Sequence, residues 1–88
     1  MDIALLTDLP NIGKTLAEKL AIIGVGRKQE LEELGSENVI IKLATIENSG
    51  ACLNMLYALE GAIQGIRWHG LDKDRKQELK EFYRMINR

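Results

Sequence analysis

The sequence predicts an all-α fold, built as one compact domain of five or six helices over residues 1–88. Apolar residues recur at spacings of three and four through most of the chain, which is the period of amphipathic helices. The chain has a single proline, and glycines or short polar triplets separate the periodic segments. A chain of this length can build one modest core and no second.

The composition limits the classes of protein to which this chain can belong. Hydrophobic residues make up 45% and charged residues 28% of the chain, as in ordinary globular domains. No apolar run approaches the roughly 18 residues of a membrane span, and the N-terminus lacks the pattern of a secretion signal. The single cysteine, Cys52, excludes an internal disulfide and a cysteine-rich metal site. We therefore expect a cytoplasmic protein without membrane contact.

A tight turn followed by a helix is predicted near the N-terminus. Pro10 cannot lie inside a helix, and Asn11 and Gly13 readily adopt turn or left-handed backbone angles. Ile12 is a candidate buried plug, and Lys14 begins a helix whose free first amides could hold an anion. The segment resembles the second half of a helix-hairpin-helix motif, which holds nucleic-acid phosphates, with Asn11 in place of the usual first glycine. The alternative is a corner that only packs.

The remaining helices follow from apolar periodicity and capping residues. They are predicted over about Lys14 to Ile23, Lys28 to Leu34, Asn38 to Glu47, Ala51 to Ile66 and Asp72 to Ile86, with a marginal one before the turn over about Met1 to Asp8. Gly24 and Gly35 lie where glycine ends helices, and Ser36 where serine caps them. Residues 39–41 are β-branched and would suit a strand, but a lone strand would leave its backbone unpaired, so we predict a helix.

The segment from Ala51 to Ile66 is predicted to be the longest helix. Gly61 and Gly65 lie one turn apart on it, so a second helix could approach its backbone closely there. Cys52 is expected to be a small buried residue rather than a reactive thiol. The core residues that we expect to be largely buried are Leu56, Ile63, Leu79 and Phe82.

The last predicted helix sorts its charges. At about 100° per residue, five of its cations fall in one arc of about 120°, between an apolar arc and an acidic arc. These cations, called the basic ridge below, are Lys73, Lys76, Lys80, Arg84 and Arg88. Residues 66–88 have a charge balance of +3, against −4 for residues 1–65, so attraction to an anionic partner should come from this end. The ridge would suit a phosphate backbone or an acidic protein surface; the alternative is a solvated face.

The chain is poor in catalytic groups, and we predict that it is not an enzyme. It has one histidine, one cysteine and no phosphate-binding glycine loop of the Walker or dinucleotide type. His69 has no acidic or nucleophilic partner near it in the sequence, so we expect it to cap a turn or satisfy a carbonyl. A run of acids is expected to be solvated surface; its members are Glu30, Glu32, Glu33 and Glu37. No catalytic residue, metal ligand, cofactor or small-molecule substrate is predicted.

The run from Leu53 to Ile63 (LNMLYALEGAI), with Trp68 after it, resembles the C-terminal domain of the TfoX/Sxy family. The hairpin over residues 9–13, then Gly24, then the triplet Glu-Leu-Gly over residues 33–35 lie in the matching order upstream. The resemblance implies an all-α domain grouped with helix-hairpin-helix folds. Full-length members are bacterial regulators of natural competence with an additional N-terminal domain, so this chain is expected to be a stand-alone copy of the C-terminal one.

We therefore predict a regulatory binding module, with two kinds of partner left open. In the first hypothesis it contacts nucleic-acid phosphates through the hairpin and the ridge. The candidate residues are Asn11, Ile12, Gly13, Lys14, Lys73, Lys76, Lys80 and Arg84. In the second it is a protein-interaction module, as a homodimer or docked on a transcription component. The net charge of −1 argues against unaided DNA binding, because most affinity for DNA is electrostatic.

Overall fold

The structure, a computed structural model, describes residues 5–87 and is all-α over that range, as predicted. It contains four α-helices and two 3₁₀ turns, so the predicted count of five or six helices is wrong. The α-helices are α1 (Lys14–Ile22), α2 (Lys28–Ala44), α3 (Leu53–Gln64) and α4 (Lys73–Ile86), and the 3₁₀ turns are Leu6–Asp8 and Trp68–Gly70. Within residues 5–87, every helix is too short or too polar to span a bilayer.

Helix α2 joins two segments that the sequence predicts as separate helices. The two segments meet at Gly35, whose φ of 79° and ψ of 155° are not helical, so α2 is kinked there. Glycine tolerates such angles because it has no Cβ. Val39 and Ile40 lie beyond the kink and are fully buried. The helical prediction for this segment is confirmed, while α3, with 12 residues against 17 in α2, is not the longest helix.

The chain before the hairpin forms only a short turn. Leu6–Asp8 is a 3₁₀ turn in which Leu6 is buried against the core. The helix predicted over Met1 to Asp8 is therefore wrong for its last residues, and its first four lie outside the described residues. Three residues make too short a segment for an α-helix, because its hydrogen bonds join residues four positions apart and so span five residues.

The core lies mainly between α2 and α3, and α1 and α4 close it. Leu56 and Leu79 are fully buried in it, as predicted. Ile63 and Phe82 pack against its edge and are partly buried, so the prediction holds less fully for these two. Residues 59–62 of α3 are buried, and Ile63, which follows them, lies at the edge of the core.

A polar network, called the polar tie below, crosses the packed helices. The Glu60 carboxylate on α3 accepts hydrogen bonds from the Ser36 hydroxyl on α2 at 2.7 Å and from the Arg75 guanidinium on α4 at 3.1 Å. Gln64 donates to its other oxygen at 2.7 Å, and Arg75 also pairs with Glu37 at 3.0 Å. The Ser36 hydroxyl therefore links α2 to α3, and its predicted role as a helix cap is wrong.

Candidate nucleic-acid interface

The inner side of the hairpin is held by Asn11. This residue adopts a φ of 69°, in the left-handed region that asparagine tolerates better than most residues. Its side-chain amide donates to the carbonyl of Ala58 at 3.3 Å and to that of Ile66 at 2.9 Å, and its Oδ1 accepts from the Trp68 N–H at 3.1 Å. Ile12 next to it is 5% exposed, so the predicted plug is confirmed. These two side chains anchor the turn to the end of α3.

Gly61 is the point at which the hairpin meets α3. A Cβ built there would lie 2.6 Å from Asn11 Nδ2 and 2.8 Å from the Ile66 carbonyl oxygen. The predicted close approach therefore exists, but a turn and the chain after α3 make it rather than a second helix. Gly65 has no part in it, since it is the left-handed C-cap of α3 with a φ of 75°.

The outer side of the hairpin is open. Gly13 is the N-cap of α1 in an extended conformation, and no side chain caps this helix. Gly13, Lys14 and Thr15 are all exposed. The first N–H groups of a helix have no partner within it, so this end of α1 offers backbone donors beside one cation.

The basic ridge of α4 keeps the charge sorting that the sequence predicts. Lys73, Lys80 and Arg84 are exposed, and Arg88 lies outside the described residues. In the ion pairs of residues 5–87, Arg75 is the cation each time. Two of the acids that flank the ridge interact with other residues of the helix, because Arg75 pairs with Glu78 and Gln77 donates to Glu81.

Lys76 differs from the other ridge cations because it lies against aromatic rings. Its Nζ is 5.4 Å from the centroid of the Trp68 ring and 5.9 Å from that of Tyr57. The Tyr57 and Trp68 rings stack at 5.8 Å, and Trp68 also stacks on His69 at 4.0 Å. His69 is exposed, whereas Tyr57, Trp68 and Lys76 are half-buried. These four residues are called the aromatic cluster below. The sequence predicts that His69 serves backbone polar groups, and instead its ring packs on Trp68.

Trp68 connects the hairpin to the ridge. Its backbone N–H donates to Asn11 in the hairpin, and its ring lies below Lys76 on the ridge. The two parts of the predicted site, far apart in sequence, are thus joined through one residue. The sequence indicates this connecting role of Trp68 only indirectly, because it shows an aromatic residue in a short polar segment near a glycine.

Arg75 and Glu60 are the charged residues that the sequence reasoning missed. Each lies one helical turn, or about 40° of arc, from a fully buried leucine: Leu79 for Arg75 and Leu56 for Glu60. Burial raises the pKa of Glu60, but hydrogen bonds from Arg75, Ser36 and Gln64 outweigh it and lower that pKa below its ordinary 4.5. The hydrogen bond to Glu60 raises the pKa of Arg75, against the effect of burial. The sequence did contain a signal for this pair, because a cation lies in the apolar arc of α4 and an anion lies in that of α3.

Two other sequence expectations are corrected. Cys52 is exposed, so its predicted burial is wrong. It is the extended N-cap residue before α3 and so does not lie on the apolar face of that helix. The acidic run is only partly solvated surface, because Glu37 pairs with Arg75 and Glu30 accepts from the N–H groups of Gly26 and Arg27. In the described range, no three His, Cys, Asp or Glu side chains are grouped as metal ligands would be.

A groove lies at the opposite end of α4 from the aromatic cluster. It has a volume of about 300 Å³, and its apolar lining comes from Ala44, Ile46, Tyr83 and Ile86. The Tyr83 hydroxyl donates to the Ala51 carbonyl at 3.3 Å across it. Ile86 is 38% exposed and Met85 beside it 68% exposed, so apolar surface continues beyond the groove.

Comparison with known proteins identifies the family. Two solved structures from Listeria monocytogenes have the same fold and 45% sequence identity to this chain. An uncharacterized protein in a triclinic crystal form matches with a TM-score of 0.90 over 96% of this chain and 94% of its own. A protein of unknown function in a tetragonal form matches with a TM-score of 0.84 over 92% and 98%. No curated protein matches. The model of the TfoX C-terminal domain matches residues 4–83, and the chain therefore belongs to that family.

Proposed function

We propose that this chain is a non-enzymatic regulatory module that binds nucleic-acid phosphates through the outer side of the hairpin and the basic ridge. Membership of the TfoX C-terminal domain family supports a regulatory role of the competence-regulator kind. The contacts assigned to phosphate are the backbone N–H groups that follow Gly13, the Lys14 ammonium, and the side chains of the ridge. Asn11 and Ile12 hold the turn in shape from inside and make no phosphate contact through their side chains.

One observation carries the proposal. The ridge cations Lys73, Lys80 and Arg84 are exposed, while two carboxylates of the same helix, Glu78 and Glu81, interact with Arg75 and Gln77 instead. Cations that lack a carboxylate partner keep their full field toward solvent, and phosphate contacts by such cations supply most non-specific affinity for nucleic acids. The uncapped start of α1 adds backbone donors of the kind that hold anions.

Charge reversal at the two parts of the site tests the proposal. Lys14→Glu and the double variant Lys76→Glu with Lys80→Glu should each weaken binding of labelled DNA and RNA for every sequence tried, because phosphate contacts carry no sequence information. Lys42→Glu is the matched control for Lys14→Glu, since it makes the same charge change at an exposed position on α2. Fluorescence anisotropy at about 50 mM salt, where electrostatic affinity is strong, gives the dissociation constants.

The proposal fails if the wild-type protein shows no salt-sensitive binding to any nucleic acid under these conditions. It also fails if Lys42→Glu weakens binding as much as Lys14→Glu, because net charge rather than the position of the cation would then set the affinity. Circular dichroism should give the same helix content for all variants, since Lys14, Lys42 and Lys80 are exposed and the half-buried Lys76 contacts only the faces of two aromatic rings.

The second candidate is a protein-interaction module, and the apolar surface at the end of α4 favours it. Met85 and Ile86 are exposed beside the groove, where they would gain from burial against a partner. A homodimer or a docked transcription component would cover this surface. Met85→Lys should then abolish association in sedimentation measurements while leaving nucleic-acid binding unchanged, whereas a wild-type protein that stays monomeric at all concentrations excludes the homodimer.

A further inference from the structure

We infer that the aromatic cluster is a stacking platform for an unpaired nucleobase, so that the preferred ligand is a single-stranded nucleic acid rather than a duplex. This inference rests on the proposed contact with nucleic acid and specifies the form of the ligand. A base would stack on the exposed His69 ring, and the phosphates on either side of it would meet Arg67 and Lys73. Stacking on aromatic side chains is the usual way in which single strands are held without sequence preference.

The geometry of the rings supports this assignment. Trp68 stacks on Tyr57 with an angle of 15° between the rings and on His69 with an angle of 28°. Tyr57 and Trp68 are half-buried, while His69 is exposed. The His69 imidazole is therefore the ring of this stack that is most open to a ligand. One of its faces packs on the Trp68 ring.

The backbone under the rings is fixed before any ligand arrives. The Trp68 N–H donates to Asn11 Oδ1, and the turn closes with hydrogen bonds from Gly70 to the Arg67 carbonyl at 2.9 Å and from Leu71 to the Trp68 carbonyl at 3.1 Å. Leu71, which follows the turn, is only 5% exposed. A preformed platform binds with a smaller loss of conformational entropy than a flexible loop.

The local charge is too small for phosphate contacts alone to give tight binding. Lys76 belongs to the cluster, and Arg67 and Lys73 lie close to it in sequence, but Asp72 and Asp74 lie between these cations in sequence and are exposed. Arg75 is already occupied by Glu60 and Glu37. Stacking must therefore supply much of the affinity, and duplex DNA, whose base faces are covered by neighbouring pairs, cannot provide that contact.

An abasic strand separates stacking from phosphate contact. The probes are an oligothymidylate of about 12 nucleotides, an abasic strand of the same length and a matching duplex, since stacking sites cover roughly 4–16 nucleotides. All three carry the phosphate backbone, but only the first exposes base faces. Trp68 is the sole tryptophan, so its fluorescence reports directly on the cluster. We expect the oligothymidylate to quench this fluorescence and to bind about fivefold or more tightly than the abasic strand, as expected for one stacked base.

Two variants of one residue test the platform itself. His69→Ala should remove most of the preference for the oligothymidylate over the abasic strand, and His69→Phe should retain it, because a phenyl ring also stacks. Equal affinities of the wild type for all three probes would overturn the inference and leave the proposed phosphate contact standing. An unchanged preference in His69→Ala would overturn it too, since the base would then be held elsewhere. Failure of every probe to bind would overturn both proposals.

Discussion

Helix α4 carries cations on two sides, and they differ in whether they form ion pairs. On the inner side, Arg75 forms ion pairs with carboxylates of α2, α3 and its own helix and is part of the polar tie. On the outer side, Lys73, Lys80 and Arg84 are exposed and pair with none of them. The difference follows from position around the helix. A cation beside a buried leucine loses water and needs an ion pair to offset that cost, whereas a cation on the exposed side stays hydrated. Location in the apolar arc therefore distinguishes structural charge from charge available to a ligand.

The hairpin divides in the same way over four residues. Asn11 and Ile12 face into the fold, where they contact the end of α3 and the core. Gly13 and Lys14 are exposed. In both regions the inner residues fix the geometry, and the outer ones are left for a partner. Changes on the inner side should therefore affect stability, and changes on the outer side should affect binding.

The largest loss of stability is expected in the core that α4 covers. Leu56 is fully buried, so Leu56→Ala should lower the free energy of unfolding by about 2–5 kcal/mol. Urea denaturation followed by circular dichroism measures this change. A loss below about 1 kcal/mol would mean that the site collapses around the smaller side chain, contrary to the packing described above.

Gly61 tests the inner side of the hairpin. Gly61→Leu should destabilise the protein by about 1–3 kcal/mol or more, because even its Cβ would lie 2.8 Å from the Ile66 carbonyl and 2.6 Å from Asn11 Nδ2. Gly61→Ala should show part of the same effect. The measurement is the midpoint of thermal unfolding. A Gly61→Leu protein that melts like the wild type would show that the hairpin does not pack on α3.

A pair of substitutions on α4 compares its two sides directly. Arg75→Ala should cost about 1–3 kcal/mol, because it leaves the mostly buried Glu60 carboxylate without its charged donor. Lys80→Ala, at an exposed position on the outer side, should change the free energy of unfolding by less than about 0.5 kcal/mol. Both values come from urea denaturation at neutral pH. Equal effects would contradict the distinction between structural and available charge.

The smallest expected effect is a dependence of stability on pH. The polar tie lowers the pKa of Glu60 below 4.5 in the folded protein, so its contribution is present above that pH and is lost as the pH falls through the folded-state pKa. Unfolding free energies measured between about pH 7 and pH 3 should therefore fall more steeply for the wild type than for Glu60→Gln. Parallel curves for the two proteins would show that the tie does not stabilise the charged carboxylate.

Helix α4 and the fully buried leucines could be predicted because local periodicity determines them. The pattern Leu79, Phe82, Tyr83, Ile86 is a helical face in any tertiary context, and Asp72 at its start caps the helix by accepting from the Asp74 N–H at 3.1 Å. Gly35 is recognisable in the sequence as a break, but the local pattern cannot show that the two helical segments follow each other directly across one non-helical residue.

The interior of the candidate site could not be predicted because it depends on long-range contacts. Asn11 bonds to residues 47 to 57 positions away, and nothing in the local sequence names those partners. The stacking of His69 on Trp68 likewise depends on a turn that Asn11 and Gly61 hold in place. Arg75 and Glu60 each interrupt an apolar arc, which is visible in the sequence. That they form an ion pair follows only once α3 and α4 are known to pack together.

The salt dependence of binding tests the central claim, that the outer cations of α4 meet phosphate while Arg75 holds the fold. The slope of the logarithm of the association constant against that of salt concentration has a magnitude of about 0.7–0.9 for each phosphate that the protein neutralises. We predict that Lys73→Gln combined with Lys80→Gln lowers the magnitude of the wild-type slope by about twice that amount, because each lysine neutralises one phosphate. Arg75→Gln, measured where it remains folded, should leave the slope unchanged. An unchanged slope in the double variant, or an equal fall in Arg75→Gln, would contradict the account.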